Sequence, residues 1–105
     1  MKLQVKINKI EEPITGVSKT TGANYYFLPM VVSFSEEYRN GESAEHTLMC
    51  RTNKRVDLDK LRLYEGTQNL LDVSVFFNVR SYKDKNGQEW NTNEINIYLP
   101  KELYV

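Results

Sequence analysis

Residues 71–99 read LDVSVFFNVRSYKDKNGQEWNTNEINIYL, and this stretch decides the fold. Leu71, Val73, Val75, Phe77 and Val79 alternate with Asp72, Ser74, Phe76, Asn78 and Arg80. A period of two is the mark of a strand with one buried face. A one-residue slip would turn every apolar side chain outward, so this register is strongly specified. The same alternation returns with Ile95, Ile97 and Leu99 inward and Glu94, Asn96 and Tyr98 outward. Between the two strands, residues 81–91 are expected to form a turn around the hairpin signal Asn86-Gly87. That turn carries Tyr82, Lys83, Lys85 and Trp90, a mixture of aromatic and basic side chains. Phe76 interrupts the polar face, and its expected cover is a neighbouring loop, ahead of a dimer contact or a stacked base.

Outward from this hairpin, Leu3, Val5 and Ile7 alternate with polar residues over 2–10 and predict a first strand. Residues 13–24, PITGVSKTTGAN, read as a loop punctuated by Pro13, Gly16 and Gly22, with Lys19 available to a phosphate. The loop lacks the spacing of a P-loop, which argues against nucleoside triphosphate binding. Residues 25–34, YYFLPMVVSF, predict a second strand rich in aromatic and β-branched residues. Pro29 within it cannot donate to a ladder and predicts an edge position or a bulge. A polar loop with Asn40-Gly41 follows and, from its length, is expected to be a flexible tip. A third strand over 46–52 points Leu48 and Cys50 one way, and Thr47, Met49 and Arg51 the other. Asp57 can cap a helix of about two to three turns, with Val56, Leu58 and Leu61 apolar and Gly66 as its stop.

Three strands, a short helix and two strands give the order of an all-β, five-stranded Greek-key OB-fold barrel, its one α-helix lying between strands three and four. At 105 residues the chain is expected to be a single OB-fold domain, residues 1–105. Cys50 has no cysteine partner and reads as a small core residue; with one histidine, no metal set or other cofactor is expected. The carboxylates form no paired constellation and no base is placed beside a Ser or Cys, so an enzyme is not expected. No apolar run is long enough to span a membrane and no apolar signal core follows Met1, so a cytoplasmic protein with no membrane partner is expected. The net charge is zero, which excludes binding nucleic acid by bulk electrostatics alone. Arg51, Lys54, Arg55, Lys60 and Arg62 are crowded into residues 51–62, either as a basic edge or as a solvated helix face.

The layout of GVSKTTG before Tyr25-Tyr26-Phe27, then a Leu-containing helix, LLDVSV and the RSYKDKNGQEW hairpin resembles small bacterial or phage OB-fold single-stranded-DNA-binding proteins, nearest in shape to the primosomal-replication-protein subgroup. The resemblance implies binding of single-stranded DNA, or RNA, with little sequence preference, in replication, recombination or a mobile element. Such proteins typically carry a disordered, acidic-tipped tail. None is visible after Leu99, so a phage, mobile-element or primosome-like accessory is the expected kind. In an OB-fold the ligand crosses strands two and three between the loops joining strands one to two and four to five. That rule nominates Lys19, Tyr26, Met49, Arg51, Tyr82, Lys83, Lys85 and Trp90 as nucleic-acid-binding residues. Four basic contacts would give a salt slope near about −3 on a single strand. The alternative is an OB-fold interaction module that forms a homo-oligomer or binds another protein, with the first strand as the expected dimer edge.

Overall fold

The computed structural model describes residues 1–105 apart from the side chain of Arg80. Six strands form one sheet: β1 (Lys2–Ile10), β2 (Ile14–Val17), β3 (Asn24–Glu37), β4 (Ser43–Thr52), β5 (Leu71–Lys83) and β6 (Glu89–Tyr98). Their order is β1-β5-β6-β4-β3-β2, and an added β1–β3 pairing closes five of them into a barrel. This is OB-fold connectivity, with β2 as an extra short strand laid on β3. A single helix, α1 (Leu58–Arg62), lies between β4 and β5 as expected.

β1 closes the barrel by serving two neighbours in turn. Its first half pairs with β5, Lys2↔Ser74 to Val5↔Leu71, and its second half with β3, Lys6↔Ser33 to Ile10↔Met30. The register shifts between Ile7 and Lys9, so Asn8 is the extra residue of a bulge that bends the strand from one partner to the other. The Asn8 amide oxygen accepts from the hydroxyl of buried Ser33 at 3.1 Å, which holds the bulge in place. Each edge of β1 is therefore paired over only part of its length, with β5 over 2–5 and with β3 over 6–10.

The core holds the expected inward residues Val5 and Ile7, Cys50, Leu71, Val73 and Val75, Ile97 and Leu99, together with Leu28, Met30 and Val32 of β3. Cys50 is buried, and burial pushes its thiol pKa up to about 12, as befits a packing residue with no thiolate chemistry. Below, Leu61 of α1 plugs the barrel with Val56 and Leu103. Asp57 caps α1 by accepting from the Lys60 N–H, but the helix has five residues, shorter than expected. The segment 101–104 packs beside it as one 3-10 turn. There the Tyr104 hydroxyl meets Thr52 Oγ1 at 2.8 Å and accepts from the Leu99 N–H at 2.8 Å.

Several expectations are corrected by the pairing. Residues 14–17, read as loop, form β2 because β3 leaves an edge free there and Ile14, Thr15 and Val17 suit it. Pro29 is neither at a free edge nor in a bulge: it sits where β3 changes partner from β2 to β1, and its carbonyl accepts from Glu11 N–H. The missing N–H points the same way, into that gap, so the β3–β4 ladder runs through unbroken from Leu28↔Thr52 to Glu37↔Ser43. The tip after it is a tight turn, Tyr38 N–H to Glu42 O with Gly41 at φ +84°, and no long flexible loop. In β5 the buried face stops at Val75; Phe77 and Val79 are 60% and 68% exposed. Past Val75, β5 has only β6 beside it, and the two continue as an arm to Lys83↔Glu89. Tyr82, Lys83 and Trp90 are thus strand residues, and the turn is only 84–88. The arm and the long β3–β4 hairpin raise the radius of gyration to 16.2 Å, against about 13 Å for a compact chain of this length.

Tyr104→Phe leaves the Leu99 N–H without its acceptor in a buried place. We expect a loss of about 1–3 kcal/mol in urea unfolding with an unchanged m-value, and Thr52→Val on top of it to add less than it costs alone.

Candidate nucleic-acid interface

The outer face of the barrel follows from the same alternation. With Leu28, Met30 and Val32 inward, Tyr25 and Phe27 must point out, and with Cys50 and Thr52 inward, Arg51 and Asn53 do. β4 and β6 run parallel and meet at Arg51↔Asn96, which sets Glu94, Asn96 and Tyr98 beside them. Across β6 the outward partners are Asn78 opposite Glu94 and Phe76 opposite Asn96. One open cleft of about 500 Å³ is lined by Phe27, Arg51, Asn53, Asn78, Glu94 and Asn96 among others. A neighbouring one shares Asn53, Asn78 and Asn96 and adds Phe76 and Tyr98.

Aromatic pairs stand at both sides of this groove. Phe76 and Tyr98 meet edge to face at 5.2 Å between centroids, both part exposed; no loop covers Phe76, contrary to expectation. Tyr25 and Phe27 lie 5.7 Å apart. Tyr25 also lies across Gly16 of β2, where a Cβ would stand 2.4 Å from its hydroxyl, so β2 props this ring. Cations from 51–55 sit over rings: Arg51 Cζ is 4.0 Å from the Phe27 centroid, Lys54 Nζ 5.5 Å from Tyr98 and Arg55 Cζ 5.3 Å from Tyr26. The first half of the basic block is thus an edge laid on aromatics, while Lys60 and Arg62 belong to α1. Arg51 is also held by Glu94 Oε2, 2.7 Å from Nη2, and donates from Nε to Asn96 Oδ1 at 3.4 Å.

The eight nominated residues do not form one site. Arg51 is in the groove, and Met49, 78% exposed, lines an adjoining cleft with Pro29, Val31 and Ile95 that shares Arg51 and Glu94 with the groove. Tyr26 shares the inward phase of Leu28 and packs against the core, so the outward rings of this strand are its neighbours Tyr25 and Phe27. Tyr82 and Trp90 face each other across the arm with Lys83 next to them and Lys85 in the turn. Six strand residues separate Trp90 from Asn96, about 20 Å at 3.3 Å each. Lys19 lies in the turn after β2, which joins the opposite ends of the strands. The sequence reading missed Tyr25, Phe27, Tyr98 and the asparagines 53, 78 and 96. The signal for the first two was the unbroken phase of Leu28, Met30 and Val32 through Pro29.

Trp90 and Tyr82 occupy the same outward phase as Phe76 and Tyr98, so the arm extends one face of the groove. Asp84 organises its tip. One carboxylate oxygen accepts from the N–H groups of Asn86 and Gln88, and the other from Trp90 Nε1 at 2.9 Å. Among the described residues no three of His, Cys, Asp and Glu gather as a metal site, and no helix is long and apolar enough to cross a membrane. A scan of protein-family models finds no match to this chain, and a search of curated proteins finds no similar one.

The hydrogen bonds to Asp84, that from Trp90 first, hold its carboxyl below its ordinary value. A depressed folded pKa means that this contribution to the turn is complete above the ordinary aspartate range and is lost as pH falls through the lower value. Trp90 emission should therefore stay constant from pH 7 to about 4 and change only below it. In Asp84→Asn that acid step should vanish; a wild-type midpoint above the ordinary aspartate value would contradict the assignment.

Proposed function

We propose that this OB-fold barrel binds single-stranded nucleic acid with little sequence preference, by stacking unpaired bases along the groove and the arm. The observation that supports it best is the row of exposed rings in one phase, Phe76 and Tyr98 beside the cleft and Tyr82 and Trp90 at the arm tip, with exposed Tyr25 and half-buried Phe27 on β3. Exposed rings are sequence-tolerant platforms because every base has a π-face, each contributing about 1–3 kcal/mol. Asn53, Asn78 and Asn96 between them offer amide donors and acceptors to base edges without adding charge. Single-stranded DNA is the expected ligand, RNA a second, and an accessory role in replication, recombination or a mobile element fits such a coat.

Charge plays the smaller part. Net charge is zero, Arg51 is paired with Glu94, and Lys83 and Lys85 lie at the arm tip. Lys54 is the cation nearest the Phe76–Tyr98 pair. With one or two phosphates neutralised, the slope of log affinity against log salt falls to about −1, shallower than four basic contacts would give.

A second reading, an interaction module, draws on the apolar part of the arm that also lines the cleft beside Phe27 and Arg51. Phe77 and Val79 are exposed there and would suit a protein or a second copy. Sedimentation at rising concentration addresses it: a monomer throughout removes the homo-oligomer.

The test is anisotropy of a labelled oligo-dT of about 20 nucleotides at low salt. Tyr98→Ala and Phe76→Ala should each weaken binding about 5- to 100-fold, the range of one lost stacking contact, whereas Tyr38→Ala at the other hairpin should not. Absence of binding by the wild-type chain, with no change in Trp90 emission, overturns the proposal.

A further inference from the structure

Resting on that reading, we propose that Arg51 is a stacking platform for a base and not a ligand for phosphate. Three contacts hold its guanidinium: the Phe27 ring with Cζ 4.0 Å from the centroid, Glu94 at 2.7 Å and Asn96 at 3.4 Å. Arg51 and Glu94 are mostly buried, with side chains 27% and 17% exposed, so their charges neutralise each other at close range with little water between. A phosphate gains little from a cation already matched by a carboxylate, and the carboxylate itself repels it. A nucleobase is uncharged and pays no such penalty.

What the arrangement leaves available is a surface. Phe27 and Arg51 both line the open cleft, and one side of the guanidinium is covered by the ring. The guanidinium is planar and weakly hydrated, and bases stack on it as they do on aromatic rings. Glu94 and Asn96, both from β6, hold that plane from one side while β4 supplies it, so the platform exists only where the barrel closes. The substrate class follows: unpaired bases are recognised at this point, and the sugar-phosphate chain passes on the side of the groove away from Glu94.

The experiment compares oligo-dT with an abasic oligomer of the same length and charge, and wild type with Arg51→Lys and Glu94→Gln, over a salt series. Wild type should bind oligo-dT and bind the abasic oligomer at least about 10-fold more weakly, the worth of one or more stacked bases. Arg51→Lys keeps the charge and removes the plane; it should lose affinity about 5- to 20-fold with the salt slope unchanged. Glu94→Gln frees the charge, and should steepen the slope by at most about 0.7 while not tightening binding at physiological salt. Arg51→Lys that binds like wild type overturns the platform while leaving the function proposal intact, whereas equal binding of the abasic oligomer overturns base stacking in both. If the folded wild type binds neither oligomer, both the platform and the function proposal fall. Circular dichroism of each variant confirms that the barrel is intact, and Phe27→Leu, which removes the ring beneath Arg51, gives an independent route to the same loss.

Discussion

Closure of the barrel depends on one short parallel junction. β4 and β6 pair only at Arg51↔Asn96, whereas β3–β4 and β5–β6 are long antiparallel hairpins whose ladders sustain themselves. Parallel pairing is slightly weaker per residue, and here there is almost none of it. Side chains make up the difference: the ion pair from Arg51 to Glu94 and its bond to Asn96 cross the same seam. The consequence is that stability and the proposed recognition share residues. The seam that turns two hairpins and β1 into a barrel is also the floor of the groove.

The remaining architecture follows from how each hairpin is tied at its other end. The bulge at Asn8 lets β1 bridge β5 and β3. Below, α1 and the turn 101–103 close the barrel with Leu61 and Leu103, and Tyr104 links Thr52 at the end of β4 to Leu99 just past β6. Lys6, 2.8 Å from Glu45, ties β1 to β4 across β3 on the outside, and with the Ser33 hydroxyl holds that carboxyl below its ordinary value. The hairpins are thus fixed at the barrel and unfixed at their tips.

The fold was legible because alternation and order are local properties. Five strands, the cap at Asp57 and most of the inward residues outside the strand through Pro29 could be read from period-two patterns and turn residues. What could not be read is where a strand stops being covered. Phe77 and Val79 continue the pattern of Val73 and Val75, yet they are exposed because β1 accompanies β5 only over 71–74. Alternation says which face a residue takes and nothing about whether a neighbour lies over it. The same limit applies to the groove. Arg51 was found from its outward phase, but Glu94 and Asn96 come to it through a pairing between strands far apart in the chain. Tyr26, nominated on the second strand, shares the phase of buried Leu28, Met30 and Val32, and Phe27 is its outward neighbour, since a proline facing a gap in the sheet does not reset the alternation.

The arm has one further property. Beyond Val75, the outer edge of β5 and, before Asn96, that of β6 have no strand beside them among the described residues, so their N–H and C=O groups are unclaimed over more than one turn of the ribbon. Such edges invite pairing with any extended chain, including another copy of the same arm. Along them Asn78, Lys83, Glu89, Asn91, Asn93 and Glu94 are interspersed with the exposed Phe77, Val79, Tyr82 and Trp90, with no run of β-branched residues after Val79. Charged and amide side chains make a poor template for sheet growth. The exposed rings that suit the arm to a ligand are thus a liability for a long, open ribbon, and the charged and amide residues set between them work against its becoming the seed of an aggregate.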